Sequence, residues 1–143
     1  MVEVRVEGNC LFFDNKEVRQ WGCQMEVPAH HAKILCTGAS SNHELVVSVD
    51  EAGVVVIWNP AKEGYGKRIW RQHLQKWSEA TATGVSDDGS LLAIAIKHAV
   101  TIYRPERNYG FNVVRVMYLP IGSTITALEF TNDQQLVCQD QGG

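Results

Sequence analysis

Apolar and polar residues alternate with period two through VEVRVE (residues 2–7) and EVRQW (17–21). Further along, the chain breaks into short runs rich in β-branched and aromatic residues: ELVVSV (44–49), VVVIW (54–58), LLAIAI (91–96), AVTIY (99–103), FNVVRVMYL (111–119), ITALEF (125–130) and LVCQ (136–139). Gly, Pro, Asn or Asp bounds each run, the signature of strands joined by tight turns. The helix candidate is RIWRQHLQKWSEA (68–80), where apolar positions 69, 70, 74 and 77 match helical spacing only in part. A strand followed by a loop fits it better. The pattern predicts an all-β chain: a sandwich, a barrel or a propeller.

Internal repetition decides among these. TGVSDDGSLLAIAI (83–96) has a looser counterpart in TGASSNHELVVSV (37–49) and a near echo in LEFTNDQQLVCQD (128–140). Leu45, Leu91 and Leu136 follow the polar turns at intervals of 46 and 45, and Pro60 and Pro105 are 45 apart. Tyr65-Gly66 and Tyr109-Gly110 are separated by 44, and Pro28 and Pro120 by 92, twice 46. Four landmarks agreeing on one period define a repeat of 44–46 residues that holds four short strands.

That unit resembles the blade of the WD-repeat β-propeller family. VSDDGSLLAIA matches the family's turn between the first and second strands, and FTNDQQLVCQ is the same turn with Gln134 in place of glycine. SVDEAGVVVIWN (48–59) matches the segment ending in Trp-Asp, here Trp58-Asn59, and AHHAKIL (29–35) stands where the family places Gly-His. Later units depart from the pattern: Lys76 or Trp77 and Ile121 lie near the histidine position, and Tyr103 replaces the tryptophan.

The resemblance implies β-propeller blades of four-stranded antiparallel sheets, about three of them, incomplete as a closed propeller. A partial blade spans 1–31, blades span 32–76 and 77–120, and the first half of a further blade spans 121–143. In the opening segment, NCLFFDNKEVRQWG reads as second and third strands with Asp14-Asn15 as the turn and Trp21 at the Trp position, and CQMEVP reads as the outer strand. A single blade has two apolar faces that only neighbouring blades can cover. The expectation is therefore that the remaining blades come from the rest of a longer chain or from another chain.

Composition narrows the function classes. With 143 residues, 45% hydrophobic and 20% charged, the chain is globular, and its net charge of −3 gives no global field for nucleic acid or anionic lipid. No secretory pattern or run of membrane-spanning length occurs. Cys10, Cys23, Cys36 and Cys138 lie 13, 13 and 102 apart with no CxxC pair, so zinc is not indicated. Each sits in or beside an apolar run, which predicts buried reduced thiols and an intracellular compartment, cytoplasm or nucleus.

No residue pattern points to a catalytic site, a metal or a cofactor, and the expectation is a non-enzyme. Asp87-Asp88 reads as a turn-former. His30, Ser48, Asp50 and Trp58 look superficially catalytic, but the family resemblance implies a structural hydrogen-bonded set. The remaining candidate is KEGYGKRIWRQHLQKW (62–77), which holds five of the 13 basic residues against one acid and interleaves Tyr65, Trp70 and Trp77. Its candidate partner-binding residues are Tyr65, Lys67, Arg68, Trp70, Arg71 and Lys76. An ordinary outer strand, a protein contact and a nucleic-acid contact all fit this composition. The resemblance implies a scaffold or adaptor for other protein subunits in an intracellular multi-subunit assembly. The alternative is a component of a ribonucleoprotein or chromatin complex touching nucleic acid through 62–77.

Overall fold

The computed structural model describes residues 2–8, 10–15, 20–23, 30–61 and 68–140. The β-branched runs form thirteen strands among the described residues, arranged in four antiparallel sheets, each a simple meander. The first sheet is β1 (Val2–Glu7), β2 (Cys10–Asn15) and β3 (Gln20–Cys23). The second is β4 (Ile34–Ala39), β5 (Val46–Asp50), β6 (Val54–Trp58) and β7 (Arg68–His73). The third is β8 (Ala80–Val85), β9 (Leu92–Ile96), β10 (Ala99–Pro105) and β11 (Phe111–Tyr118). The last is the hairpin of β12 (Ile125–Phe130) and β13 (Leu136–Asp140). The repeat extends to irregularities: β4, β8 and β12 carry a register shift at Ile34/Cys36, Ala80/Ala82 and Ile125/Ala127.

Each central strand is buried on both faces, and alternate residues serve opposite neighbours. Val46, Val54, Val56 and Trp58 pack with Leu11 of β2, whereas Val47, Val49, Val55 and Ile57 pack with Val85, Leu92 and Ile94 of the third sheet. The other face of that third sheet, with Ala82, Ala93, Ala95 and Val100, packs on Ile125, Leu128 and Phe130. The sheets are therefore stacked side by side as an open row.

Their first strands approach closely because two of them carry glycine. A Cβ on Gly38 would lie 2.1 Å from the Thr83 carbonyl oxygen, and one on Gly84 would lie 2.8 Å from that of Leu128. Gly38 pairs with Val47, Gly84 with Ala93, and at the same position in the last hairpin Glu129 pairs with Val137.

The polar turns are built alike. The N–H of Ser40 donates to the Leu45 carbonyl, that of Ser86 to Leu91 and that of Thr131 to Gln135. A left-handed residue closes each turn: His43 (φ 60°), Gly89 (φ 75°) and Gln134 (φ 64°). The third turn is one residue shorter, and this corrects the leucine alignment. Leu136 pairs with Phe130 as Leu92 pairs with Val85 and Val46 with Ala39. It is thus the counterpart of Val46 and Leu92 and faces backward along the row, while Leu45 and Leu91 face forward. One residue of offset exchanges the faces of a strand.

Two further expectations change. Asp14-Asn15 is not a turn: both residues are in β2, opposite Trp21 and Gln20 of β3, and the first described hairpin turn is at Gly8. The proposed outer strand CQMEVP falls outside the described residues except for Cys23, which ends β3. Segment 68–80 is the strand β7 followed by a short 3-10 turn at Gln75–Glu79.

Candidate functional site

The turn between β5 and β6 places Asp50 at the end of one strand, two residues from Ser48, while β6 delivers Trp58 opposite Val46. His30 enters from the segment before β4. The four side chains meet in a site that solvent does not reach, each between 0% and 3% exposed. His30 Nδ1 lies 2.7 Å from Asp50 Oδ2, and His30 Nε2 lies 2.5 Å from Ser48 Oγ. Trp58 Nε1 donates to Ser48 Oγ over 2.8 Å. Asp50 Oδ1 also accepts the N–H groups of Ala52 and Val54 at 2.8 and 3.1 Å.

These partners assign the protons. Burial lowers the His30 pKa, the Asp50 carboxylate opposes that shift without cancelling it, and Arg71 and His31 reinforce it. A neutral imidazole donates from Nδ1 to Asp50 and accepts the Ser48 hydroxyl at Nε2. The His30–Asp50 contact is then a hydrogen bond to a carboxylate rather than an ion pair between full charges. The order Ser–His–Asp is that of a hydrolase triad. A nucleophile must reach substrate, however, and Ser48 is fully buried with its oxygen already holding the Trp58 N–H.

The next sheet carries different residues at the same positions. Ile94 and Ile96 stand where Ser48 and Asp50 stand, by their pairing with Thr83 and Ala80. Trp77 replaces His30, and its Nε1 donates to the Tyr103 hydroxyl over 3.1 Å. The Trp77 and Tyr103 rings meet edge to face with centroids 5.5 Å apart, and Phe111 packs on both. Aromatic burial does there what the polar set does one sheet earlier.

A row of hydrogen bonds ties successive polar turns together. Ser41 Oγ donates to the Asp87 carboxylate at 2.8 Å, and the Asn42 N–H donates to it at 2.9 Å. Asp88 accepts from Ser86, Ser90 and the Ser90 N–H within its own turn, which holds its carboxyl below the usual range, and Gln134 of the next turn donates to it at 3.5 Å. Sequence spacing could have revealed both this row and the Gly38–Gly84 contact. The Thr-Gly that opens TGASS and TGVSD recurs 46 residues apart.

The basic-aromatic segment divides. Tyr65 and Lys67 lie outside the described residues. Trp70 is buried at 5% exposure and donates its Nε1 to the Gly110 carbonyl at 3.2 Å, and Trp77 is at 0%, so neither ring is presented to a partner. Trp70 is thereby corrected from a surface contact to a core residue, since it lies opposite Ile57 on the face that meets the third sheet. Arg68 and Arg71 are half-buried and Lys76 is exposed. Among the cysteines, Cys36 is half-buried with its thiol pushed up to about 12 by burial. Cys138 is exposed, contrary to the expectation of burial, although it lies opposite Leu128 on the face of β13 that turns to the third sheet. Side chains of Cys10 and Cys23 are outside the described set. No group of three His, Cys, Asp or Glu among the described residues is placed to hold a metal ion, and no described helix is long and apolar enough to cross a membrane.

No protein-family model matches the chain, and no curated protein does. Solved structures do. The U3-55K structure and a crystal structure of the RRP9 WD40 repeats each align with a TM-score of 0.67 at 16% identity, covering 94% of this chain. The chain spans 43% of the length of each of those chains. At that identity the likeness concerns architecture, and it agrees with the stacked four-stranded meanders. The chain has the fold of the WD-repeat β-propellers, in the form of an open row of blades.

Proposed function

We propose that this chain is a non-catalytic scaffold that holds protein partners within an intracellular multi-subunit assembly, with 32–76 and 77–120 as its complete blades. The observation that carries this reading is the fate of the Ser48–His30–Asp50 arrangement. Among the described residues, the one constellation with catalytic ordering is enclosed, mutually satisfied and capped by Trp58. The fold's exposed surface, its strand edges and turns, is then what remains for function. Free thiols at Cys36 and Cys138 support a reducing compartment. The uncovered face of the last hairpin, with Val137 exposed opposite Glu129, supports its being covered by further blades from the same or another chain.

Burial of Trp70 and Trp77 weighs against the nucleic-acid reading, because base stacking needs accessible rings. The test is capture of the tagged full chain from its own cells with and without nuclease, followed by sizing. Stoichiometric protein partners that survive nuclease support the scaffold. Loss of the complex on nuclease treatment, or RNA binding abolished by Lys67→Glu with Arg68→Glu and steeply salt-dependent, would replace it with the nucleic-acid reading. Completion by further blades has its own test. The isolated 143 residues should aggregate or unfold broadly, and a sharply unfolding monomer would overturn that part.

A further inference from the structure

Two outer strands have free edges along the rim of the complete blades, and they differ in kind. β7 presents Arg68, Arg71, Gln72 and His73, the polar type of edge that discourages pairing. β11 is the longest described strand at eight residues, lies at the end of the order β11-β10-β9-β8, and reads FNVVRVMY. Val113, Val114, Val116 and Tyr118 on it are 55%, 46%, 42% and 73% exposed. Arg115 is its single charged residue, so the usual protection of a free edge is nearly absent.

The two faces beside this edge have opposite chemistry. Val116 lies opposite Thr101 and Tyr118 opposite Ala99, which puts both on one face; Arg115 lies opposite Ile102 on the other. Arg104, also exposed, is on the Arg115 side. Among the described residues no carboxylate lies within ion-pair distance of either guanidinium, and the nearby Glu106 accepts from Asn112 at 2.5 Å. In a chain of net charge −3 these are uncompensated local cations.

We propose that the β11 edge takes an extended partner segment as a fifth strand, apolar at alternate positions and acidic between them. Main-chain hydrogen bonds along β11 would supply sequence-independent affinity, while Val116 and Tyr118 select apolar side chains and Arg115 and Arg104 select carboxylates. This rests on the scaffold reading and names the chemistry of one partner.

The test titrates the full chain with a short labelled peptide alternating valine and glutamate, and with its valine–lysine counterpart. The glutamate peptide is expected to bind at least about tenfold tighter than the lysine peptide, from two cation contacts near a partly apolar edge. It should also slow amide exchange across 111–118. Arg115→Glu should invert the preference, and Val116→Lys should abolish binding with unfolding unchanged; Val113→Lys, opposite Tyr103 on the same face, repeats that test if the first variant is unstable. Equal binding of both peptides, protection elsewhere, indifference to Val116→Lys, or self-association through β11 would each overturn the proposal. If β11 variants keep every nuclease-resistant partner and neither peptide binds, the edge is refuted while the scaffold stands.

Discussion

Replacing Ser48 with alanine removes one oxygen and strands two buried groups. The hydroxyl accepts the Trp58 indole N–H at 2.8 Å and donates to His30 Nε2 at 2.5 Å, in a site where all participants are at most 3% exposed. Each orphaned polar group costs about 1–3 kcal/mol, so the two together should destabilise by about 2–6 kcal/mol. Water offers no rescue, because the vacated oxygen leaves less than the roughly 30 Å³ that a water takes up. The measurement is guanidinium unfolding of the full chain followed by circular dichroism. A cycle with Trp58→Phe separates the effect from general weakening: once the indole N–H is gone, losing the hydroxyl should cost about 1–2 kcal/mol less. If Ser48→Ala stays within about 0.5 kcal/mol of the parent, the range of ordinary surface substitutions, the hydrogen-bonded set does not hold this blade. Strict additivity in the cycle would refute energetic coupling between the Trp58 N–H and the Ser48 hydroxyl.

Further outcomes are expected. Because burial keeps the His30 pKa below 6.5, the unfolded chain takes up a proton that the native chain does not. Stability is full above pH 6.5 and falls as pH drops below it, by at most ~1.4 kcal/mol per pH unit, and His30→Gln should remove that share of the slope. Gly38→Ala drives a methyl into the Thr83 carbonyl and should cost about 3 kcal/mol or more in unfolding experiments, exceeding Gly84→Ala, whose clash is milder. Asp87→Ala removes the acceptor of Ser41 and Asn42 and should cost about 1 kcal/mol, seen as faster amide exchange in both turns rather than as global collapse.

Architecture was legible because turn chemistry and alternation repeat together, and each repeat must bury the same two faces. The one-residue error at Leu136 shows the limit of counting. Gln135 and Leu136 are both plausible in a turn-to-strand position, and only the pairing with Phe130 reveals a shortened turn. Asp14-Asn15 misled for a related reason: Asp-Asn is a strong turn signal, yet pairing with Trp21 and Gln20 keeps it in the strand. The His30 set was implied by the family resemblance, whereas its replacement was not. Trp77, Tyr103 and Phe111 share no polar pattern with His30, Ser48 and Trp58, and only their common location identifies them. Trp70 was misread because composition cannot distinguish an aromatic residue displayed at a rim from one inserted under it. The exposed valines of β11 went unnoticed for the converse reason, since an apolar run reads as core until a sheet order shows it at an edge.

The glycine contacts have a bearing on whatever adjoins the last hairpin. Where Gly38 and Gly84 admit a neighbouring main chain almost to touching distance, β12 offers Glu129. No backbone can settle there at the same separation. Any element that packs there must stand off by the length of a carboxylate side chain and bring a cation, a donor or a pocket of water to meet it. The even spacing of the row therefore ends at β12, and a seam formed beyond it would have a chemistry of its own.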